Sequence, residues 1–248
     1  MSRFGVYVHI PFCASKCDYC AFATWTDRGH LVESYVSALR TEIDRAVADA
    51  MPVADSVFVG GGTPTLLPGA DLAAVIAAIP VSDGAEITVE CNPDDVTVEL
   101  LRTYRDAGVN RVSLGVQSMS THVLSSLGRT HDQRNVDRAV SAIRSAGIPT
   151  FNLDLIYGAA GESIDDWRHT VTAALALEPP HVSAYGLTVE AGTPLASQPD
   201  RHPDDDDQAD KYELVDDLLT AAGLDNYEVS NWARPGHESR HNRLYWNQ

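Results

Sequence analysis

The sequence predicts an α/β protein built as an open, partial (β/α)6 barrel similar to a TIM barrel, and three observations support this fold class. Short β-rich segments alternate with amphipathic stretches from the N-terminus to about residue 190. Several amphipathic stretches end at Gly or Pro, as helices commonly do. A closed eight-stranded barrel needs about 250 residues, whereas only six βα units precede a change of pattern near Thr188.

Six segments rich in β-branched or alternating apolar residues are predicted to be parallel strands. They are Gly5–Ile10, Ser56–Val59, Glu86–Cys91, Arg111–Leu114, Thr150–Leu155 and Val182–Tyr185. The helices predicted between them are Val32–Asp49, Asp71–Ala78, Val96–Ala107, Gln133–Ala146 and Ile164–Leu177. Gly108 and Gly147 follow two of these helices and are predicted to be C-terminal caps.

Residues 191–248 follow a different pattern and are predicted to be a second region after the core of residues 1–190. Three prolines and the acidic run Asp204–Asp207 precede a predicted helix, Gln208–Ala222. The acidic run is interpreted as a solvated helix start, with a cation site as the alternative. A short strand-like piece begins at Asn226, and the stop at Gln248 leads us to expect a truncated C-terminus.

The charge balance excludes some classes of partner. Eighteen Lys and Arg against 35 Asp and Glu give a formal charge of −17, which repels phosphate backbones and anionic lipid surfaces. Nucleic acid is therefore not expected as a partner, and membrane association is not indicated. The N-terminus shows no signal-peptide pattern and no segment reaches the ~20 apolar residues of a membrane span, so a cytoplasmic location is expected.

Three of the four cysteines crowd into one loop after the first predicted strand. Cys13, Cys17 and Cys20 have the spacing C-x3-C-x2-C. Loops at the carboxyl ends of parallel strands are where such folds bind cofactors, and three thiolates can ligate three irons of a [4Fe-4S] cube. The fourth iron is then open to chelation by the amino and carboxylate groups of S-adenosylmethionine (SAM).

The cysteines and two neighbouring residues also admit other interpretations. A structural zinc site prefers four ligands, commonly in paired C-x2-C units, and no second pair is present. Cys91 is interpreted as a small buried hydrophobic residue. His9 is interpreted as a hydrogen-bonding core residue, and Lys16 is not required by the motif.

The segment Tyr7-Val-His-Ile-Pro-Phe-Cys13, with the two following cysteines, resembles the radical SAM family of oxygen-independent coproporphyrinogen III oxidases and their heme-chaperone relatives. The resemblance extends over essentially the whole chain. It includes the segments Gly60–Thr65 (GGGTPT), Glu90–Pro93 (ECNP), Ser113–Ser118 (SLGVQS), Gly128–His131 (GRTH), Asn152–Gly158 (NLDLIYG) and Ala184–Thr188 (AYGLT).

The resemblance implies a set of SAM contacts in addition to the three cluster cysteines. These implied contacts are Tyr7, Tyr19, Gly61, Gly62, Thr63, Glu90, Gln117, Arg129, Asp154 and Gly186. In the predicted fold each belongs to a strand end or to the loop after it, which places them on one rim. For any one of them, a surface or packing role is the alternative.

Two features distinguish the branches of this family. Its oxidases resemble C-x3-C-x2-C-x-C, and Phe22 stands where their additional cysteine would be. The segment His241-Asn-Arg-Leu-Tyr-Trp246 looks like the H-N-x-x-Y-W signature of the heme-chaperone branch. In that interpretation His241 ligates heme iron while Tyr245 and Trp246 cover porphyrin surface. Closure of the core by these residues is the alternative.

The resemblance therefore implies a heme chaperone that passes heme to acceptor proteins, with an electron-donor protein as a further partner. The alternative function is oxidative decarboxylation of coproporphyrinogen III to protoporphyrinogen IX. A fragment that binds SAM without either activity is the third possibility. Residues 1–190 would form the radical SAM core, and residues 191–248 would begin a porphyrin- or heme-associated region.

Overall fold

A computed structural model describes residues 3–247 as eight strands and eight α-helices. The strands are β1 Gly5–Ile10, β2 Ala54–Gly61, β3 Val81–Cys91, β4 Arg111–Gln117, β5 Thr150–Tyr157, β6 His181–Gly186, β7 Asp225–Glu228 and β8 Asn231–Ala233. The helices are α1 Val32–Ala48, α2 Gly69–Ala77, α3 Val98–Asp106, α4 Thr121–Ser126, α5 Gln133–Ala146, α6 Ile164–Ala176, α7 Asp205–Ala221 and α8 Arg240–Trp246.

One open sheet contains every strand, in the order β1-β2-β3-β4-β5-β6-β8-β7. The first six are parallel and follow chain order, as expected for successive βα units. Strand β8 then pairs antiparallel with β6, and β7 pairs with β8 at the edge. The prediction of a six-unit partial barrel is confirmed.

The two faces of this sheet differ in chemistry because successive side chains alternate between them. The outward face carries apolar residues that the helices cover completely, such as Val57, Val89, Leu114 and Leu153. The inward face carries mostly polar residues. Strand register places them in rows, so that Tyr7, Phe58, Thr88 and Arg111 occupy successive cross-strand positions.

The predicted helices are present, with ends displaced by at most two residues in the first five and by three at the start of α7. Helix α5 begins with a capping box between Asp132 and Asn135 and ends at Gly147, which has a φ of 77°. The predicted cap at Gly147 is therefore confirmed. Gly108 follows α3 with a φ of 102°, which only a residue without a Cβ adopts easily.

Several elements extend beyond the predicted segments or were not predicted. Strand β3 begins earlier than predicted, and β2, β4 and β6 continue into Gly residues that carry no β signal. Strand β5 continues through Ile156 and Tyr157. Helix α4 was not predicted, and neither was α8. Ser239 caps α8 by accepting a hydrogen bond from the Asn242 amide at 3.2 Å.

Residues after Thr188 pack directly on the preceding units. Helix α7 begins at Asp205, so the acidic run forms its first turn. Negative charge at this end of a helix interacts favourably with the helix dipole and stabilises the helix. Its Lys211 is fully buried and contacts Glu162 and Asp207 at 3.2 and 2.6 Å. The division of the chain at residue 190 stays a prediction. Within residues 3–247, no helix is long and apolar enough to cross a membrane.

Candidate functional site

A cavity of about 500 Å³ opens at the carboxyl ends of the parallel strands. Loops at this end of a parallel sheet converge, which explains why segments far apart in sequence meet there. Twelve of the predicted site residues line it. They are Cys13, Cys17, Tyr19, Cys20, Gly61, Gly62, Thr63, Glu90, Gln117, Arg129, Asp154 and Gly186.

The cysteine loop is attached to the rim by backbone hydrogen bonds. The Cys13 amide donates to the Trp25 carbonyl at 3.1 Å, and the Cys20 amide donates to the Cys17 carbonyl at 3.2 Å. All three thiols are half-buried and free of disulfides. Polar groups from the opposite wall approach two of them: Thr63 Oγ1 lies 3.8 Å from Cys13 Sγ, and Arg129 Nη1 lies 3.8 Å from Cys17 Sγ.

These residues fit a cubane cluster better than a single ion. Among residues 3–247, no three His, Cys, Asp or Glu side chains converge as tightly as the ligands of one metal ion would. A cube distributes three thiolates over three irons and does not require such convergence. Hydrogen-bond donors near cluster sulfurs are the usual second layer of such sites, and Thr63 and Arg129 fit that role.

The glycine run at the end of β2 makes room for protein atoms. A Cβ on Gly60 would lie 2.6 Å from a Glu90 carboxylate oxygen. A Cβ on Gly61, whose φ is 109°, would lie 2.4 Å from the His9 ring. A Cβ on Gly62 would lie 2.5 Å from the Phe12 carbonyl oxygen, under the cysteine loop. The three glycines therefore let Glu90, His9 and the cysteine loop pack closely against β2. The sequence predicted contacts between these glycines and SAM, but not this packing role.

His9 ties β1 to the cysteine loop. Its Nε2 lies 2.9 Å from the Ala23 carbonyl oxygen, and its Nδ1 lies 3.1 Å from Tyr7 Oη. The hydrogen-bonding role predicted for His9 is confirmed. Cys91 is buried, as predicted, and it also lines a small part of the cavity wall.

Two carboxylates face the cavity from neighbouring parts of the sheet. Burial, with a further contribution from Asp154, raises the pKa of Glu90 from 4.5 to about 7, although the Gly61 amide donates to it at 3.0 Å. Burial also raises the pKa of Asp154, against hydrogen bonds from Ser113 and Asn152 at 2.8 and 2.7 Å. Glu90 can therefore hold or release a proton near neutral pH, and Asp154 holds its proton to a higher pH than an exposed aspartate does.

Arg129 is fixed by a residue that the sequence analysis did not assign. Its Nη2 donates to Asn92 Oδ1 at 2.8 Å and to the Gly115 carbonyl at 2.9 Å. Asn92 also donates to Thr63 Oγ1 at 3.3 Å, so it links both groups that approach the cysteine sulfurs. Its place directly after β3, in the ECNP segment, was the available signal. Gln117, at a φ of 65°, is a strained non-glycine residue of the cavity wall.

Two predicted site residues, Tyr7 and His241, are not among those that line the cavity. Tyr7 stacks on Phe58 with ring centroids 6.2 Å apart, and Phe58 in turn lies 5.3 Å from the His241 ring. His241 Nδ1 lies 2.9 Å from Ser56 Oγ. These residues form a second group near the amino ends of the strands, and their predicted roles stay predictions.

Helix α8 places this second group against the strands. The Glu86 carboxylate accepts from the Arg240 and His241 amides at 3.1 and 3.2 Å, as an anion at a helix N-terminus should. At the other end, Tyr245 and Trp246 are 68% and 58% exposed. The helix therefore attaches its start to β3 and presents aromatic rings to solvent at its end.

A chain of hydrogen bonds joins the cavity to α8. Asn152 donates through Nδ2 to Asp154, so its Oδ1 accepts from His181 Nδ1 at 2.6 Å. Burial holds the pKa of His181 well below its usual value, which leaves the ring neutral and its Nε2 an acceptor. Tyr227 therefore donates to Nε2 at 2.8 Å and accepts from the Ser239 amide at 3.3 Å.

Comparisons with known proteins agree with this geometry. The model of the Radical SAM superfamily matches residues 7–174. A protein of Mycobacterium tuberculosis named heme chaperone HemW is 46% identical over 98% of this chain and 65% of its own length. The protein of the same name from Escherichia coli is 40% identical over 98% of this chain and 66% of its own length.

A solved structure extends the comparison to the fold. Coproporphyrinogen III oxidase (HemN) from Escherichia coli matches with a TM-score of 0.85 and 27% identity, over 96% of this chain and 57% of that one. The chain thus spans slightly less than two thirds of the length of the curated relatives named above.

Proposed function

Because this chain belongs to the radical SAM superfamily, we propose that it is a heme chaperone, which binds heme and passes it to acceptor proteins. The observation that carries the proposal is the environment of His241 on α8. With Nδ1 beside Ser56, Nε2 has no partner among residues 3–247 and is available to a metal. Metal-binding histidines usually hold their second nitrogen in this way.

The electrostatics of His241 support the same role. An imidazole ligates iron only in its neutral form. Burial lowers the pKa of His241, although the Glu86 carboxylate acts in the opposite direction. The exposed rings of Tyr245 and Trp246, on the same helix, offer apolar surface to a porphyrin. The names of the relatives that are 46% and 40% identical point to the same function.

The superfamily implies a [4Fe-4S] cluster and SAM, and the cavity residues fit both. Cys13, Cys17 and Cys20 would hold three irons, and Glu90, Asp154 and Arg129 would meet the polar parts of SAM. When bound, a reduced cluster supplies one electron to the SAM sulfonium. The chain itself contributes donors near the sulfurs and a cavity wall. A reducing, cytoplasmic setting and an electron-donor protein belong to the proposal, because the thiols must stay free.

Heme titration tests the proposal. Heme is added to the chain and to two variants, His241→Ala and, as a matched control, the exposed helix residue His169→Ala. The parent chain and the control should show a Soret band shift with equal affinity, and His241→Ala should bind at least about tenfold more weakly. Transfer to an added apo-globin is then followed by absorbance. Absence of any heme-dependent shift in the parent chain would refute the proposal.

A second candidate is oxidative decarboxylation of coproporphyrinogen III. It is favoured by the 27% identity and 0.85 TM-score to a protein with that name. Phe22, 63% exposed at the cavity, supplies no thiol at the place of the oxidases' additional cysteine. Anaerobic turnover with SAM, a reductant and coproporphyrinogen III distinguishes the two. Formation of 5′-deoxyadenosine together with carbon dioxide would favour the oxidase.

A further inference from the structure

Arg111, the first residue of β4, is a buried cation without a balancing anion at contact distance. It is 2% exposed and points to the inside of the barrel. Among residues 3–247, no carboxylate forms an ion pair with its guanidinium within 4.0 Å, and its Nε has no hydrogen-bond partner. The Arg111 charge does act to lower the pKa of the buried Asp154 carboxyl, but only from beyond that distance. Buried charges are normally paired, because an unpaired one keeps its full desolvation cost.

Thr88 is the cross-strand partner of Arg111, and its hydroxyl also lacks a hydrogen-bond partner. Strand register pairs Thr88 on β3 with Arg111 on β4, and both side chains point inward. Thr88 is fully buried, and its Oγ1 also has no partner. A hydroxyl and a guanidinium side by side offer several donors to one acceptor. A carboxylate is the ligand that fits them best, since it accepts two parallel bonds from one guanidinium.

The position of these donors relative to α8 indicates which carboxylate. Register pairs Thr88 with Phe58 on the other side, and the Phe58 ring lies 5.3 Å from the His241 ring. Two inter-strand spacings, about 10 Å, therefore separate Phe58 from Arg111 along the sheet. The Arg111 charge also contributes to the lowered pKa of His241, after burial. A planar ligand at His241 with an acidic side arm could reach Arg111.

We propose that Arg111 and Thr88 form a carboxylate site for a propionate of the porphyrin that lies against His241. This inference rests on the proposed heme binding and deepens it, because it names the group of the ligand that is recognised. Arg111 is covered in this conformation, so the propionate enters when α8 moves. A helix of seven residues has little stability of its own, and its contacts with Glu86 and Tyr227 decide its position.

The test compares heme with its dimethyl ester, in which neither propionate can carry a charge. The parent chain should bind the ester about tenfold more weakly than heme, because the ester cannot accept the charge-assisted bonds. Arg111→Met should bind the two forms within about twofold of each other, and Arg111→Lys should keep part of the difference. Arg102→Met, an exposed arginine on α3, is the matched control and should behave as the parent.

Thermal unfolding without heme gives a second readout that does not depend on ligand affinity. Removing a buried charge that has no ion-pair partner within 4.0 Å should leave the midpoint of Arg111→Met equal to or above that of the parent. A lower midpoint would mean that Arg111 is balanced within the protein, and it would overturn the inference. Equal binding of heme and ester by the parent would overturn the carboxylate site alone. Binding of neither form would overturn the heme proposal as well.

Discussion

The two ends of the six parallel strands use polar side chains in different ways. At the carboxyl ends, polar groups from several strands and loops surround an open cavity, and most of them are also tied to one another. At the amino ends, the start of helix α8 contacts β3, and two atoms of the inward-facing rows, Arg111 Nε and Thr88 Oγ1, have no hydrogen-bond partner among residues 3–247. The polar groups at the carboxyl ends are already arranged around an open cavity, so a cofactor could bind there without a conformational change. At the amino ends, a ligand could reach the interior only after α8 had moved.

The two ends also differ in how far apart in sequence their contacting residues are. The rim is held by short connections, such as the cysteine loop directly after β1 and the glycine run at the end of β2. The amino end depends on contacts between residues more than 150 positions apart, such as Glu86 with His241. Changes at the rim should therefore abolish cofactor binding, whereas changes at the other end should loosen α8.

Replacing Cys17 with Ala should have the largest effect at the rim. Only two thiolates would remain in the loop, and a cube needs three for the arrangement proposed here. Anaerobically reconstituted Cys17→Ala should lose nearly all iron and sulfide, measured by elemental analysis and absorbance. Cys91→Ala is the matched control, because Cys91 is also a free cysteine but is buried in β3. Full iron content in Cys17→Ala would remove the cluster from this loop.

Gly61→Ala should strongly destabilise the ligand-free protein. The new Cβ would meet the His9 ring at 2.4 Å, and the backbone has a φ of 109°. Strain and overcrowding together should lower the free energy of unfolding by about 4 kcal/mol. The measurement is urea unfolding followed by circular dichroism.

The control for this substitution separates strain from crowding. Gly84 in β3 also has positive φ, 71°, but no atom lies within 4 Å of its Cβ position. Gly84→Ala should therefore cost only about 1 kcal/mol. An equal loss of unfolding free energy in the two variants would mean that the contact with His9 does not add to the cost of the Gly61 substitution.

The pH dependence of stability should reveal Glu90. Its pKa is about 7 in the folded protein against an ordinary 4.5, so the folded chain holds a proton that the unfolded chain releases. Stability from this group is therefore present below about pH 4.5 and is lost as pH rises to about 7. The loss should reach at most about 3 kcal/mol.

Ligand-free Glu90→Gln isolates this contribution, because glutamine does not titrate. The difference in unfolding free energy between parent and variant should shift in favour of Glu90→Gln as pH rises from about 5 to 7. Exposed Glu99→Gln, on α3, should show no such shift. A pH-independent difference would place the Glu90 charge in contact with water rather than in the cavity wall.

Sequence reasoning placed the strands and the cysteine loop because their signals are local, whereas the other rim residues were implied by the family resemblance. The order of strands and helices follows from periodicity, and the cysteine spacing lies within one loop. Asn92 was missed because its role depends on Arg129, which reaches it from another part of the chain. The purpose of Gly61 was missed for the same reason, since the ring that requires it belongs to β1.

The amino end was predicted less well because its structure depends on pairing across the whole chain. Helix α8 has only seven residues, and its start is fixed by Ser239 and by Glu86 from β3. No local period of that length indicates a helix. Arg111 was assigned only to a strand, because burial and the absence of a partner cannot be inferred from neighbouring residues.

Tyr227→Phe should have the smallest effect and addresses the connection between the two ends. The hydroxyl donates to His181 and accepts from the Ser239 amide, so its loss leaves His181 Nε2 without a donor and loosens the start of α8. The cost should be about 1 kcal/mol in urea unfolding, with faster hydrogen exchange confined to residues 239–247. Tyr212→Phe is the matched control, because its hydroxyl has no hydrogen-bond partner among residues 3–247 while its ring packs on Trp232. If α8 exchanges equally in both variants, the Tyr227 hydroxyl does not help to hold the helix, and this chain of hydrogen bonds does not couple the cavity to the amino end.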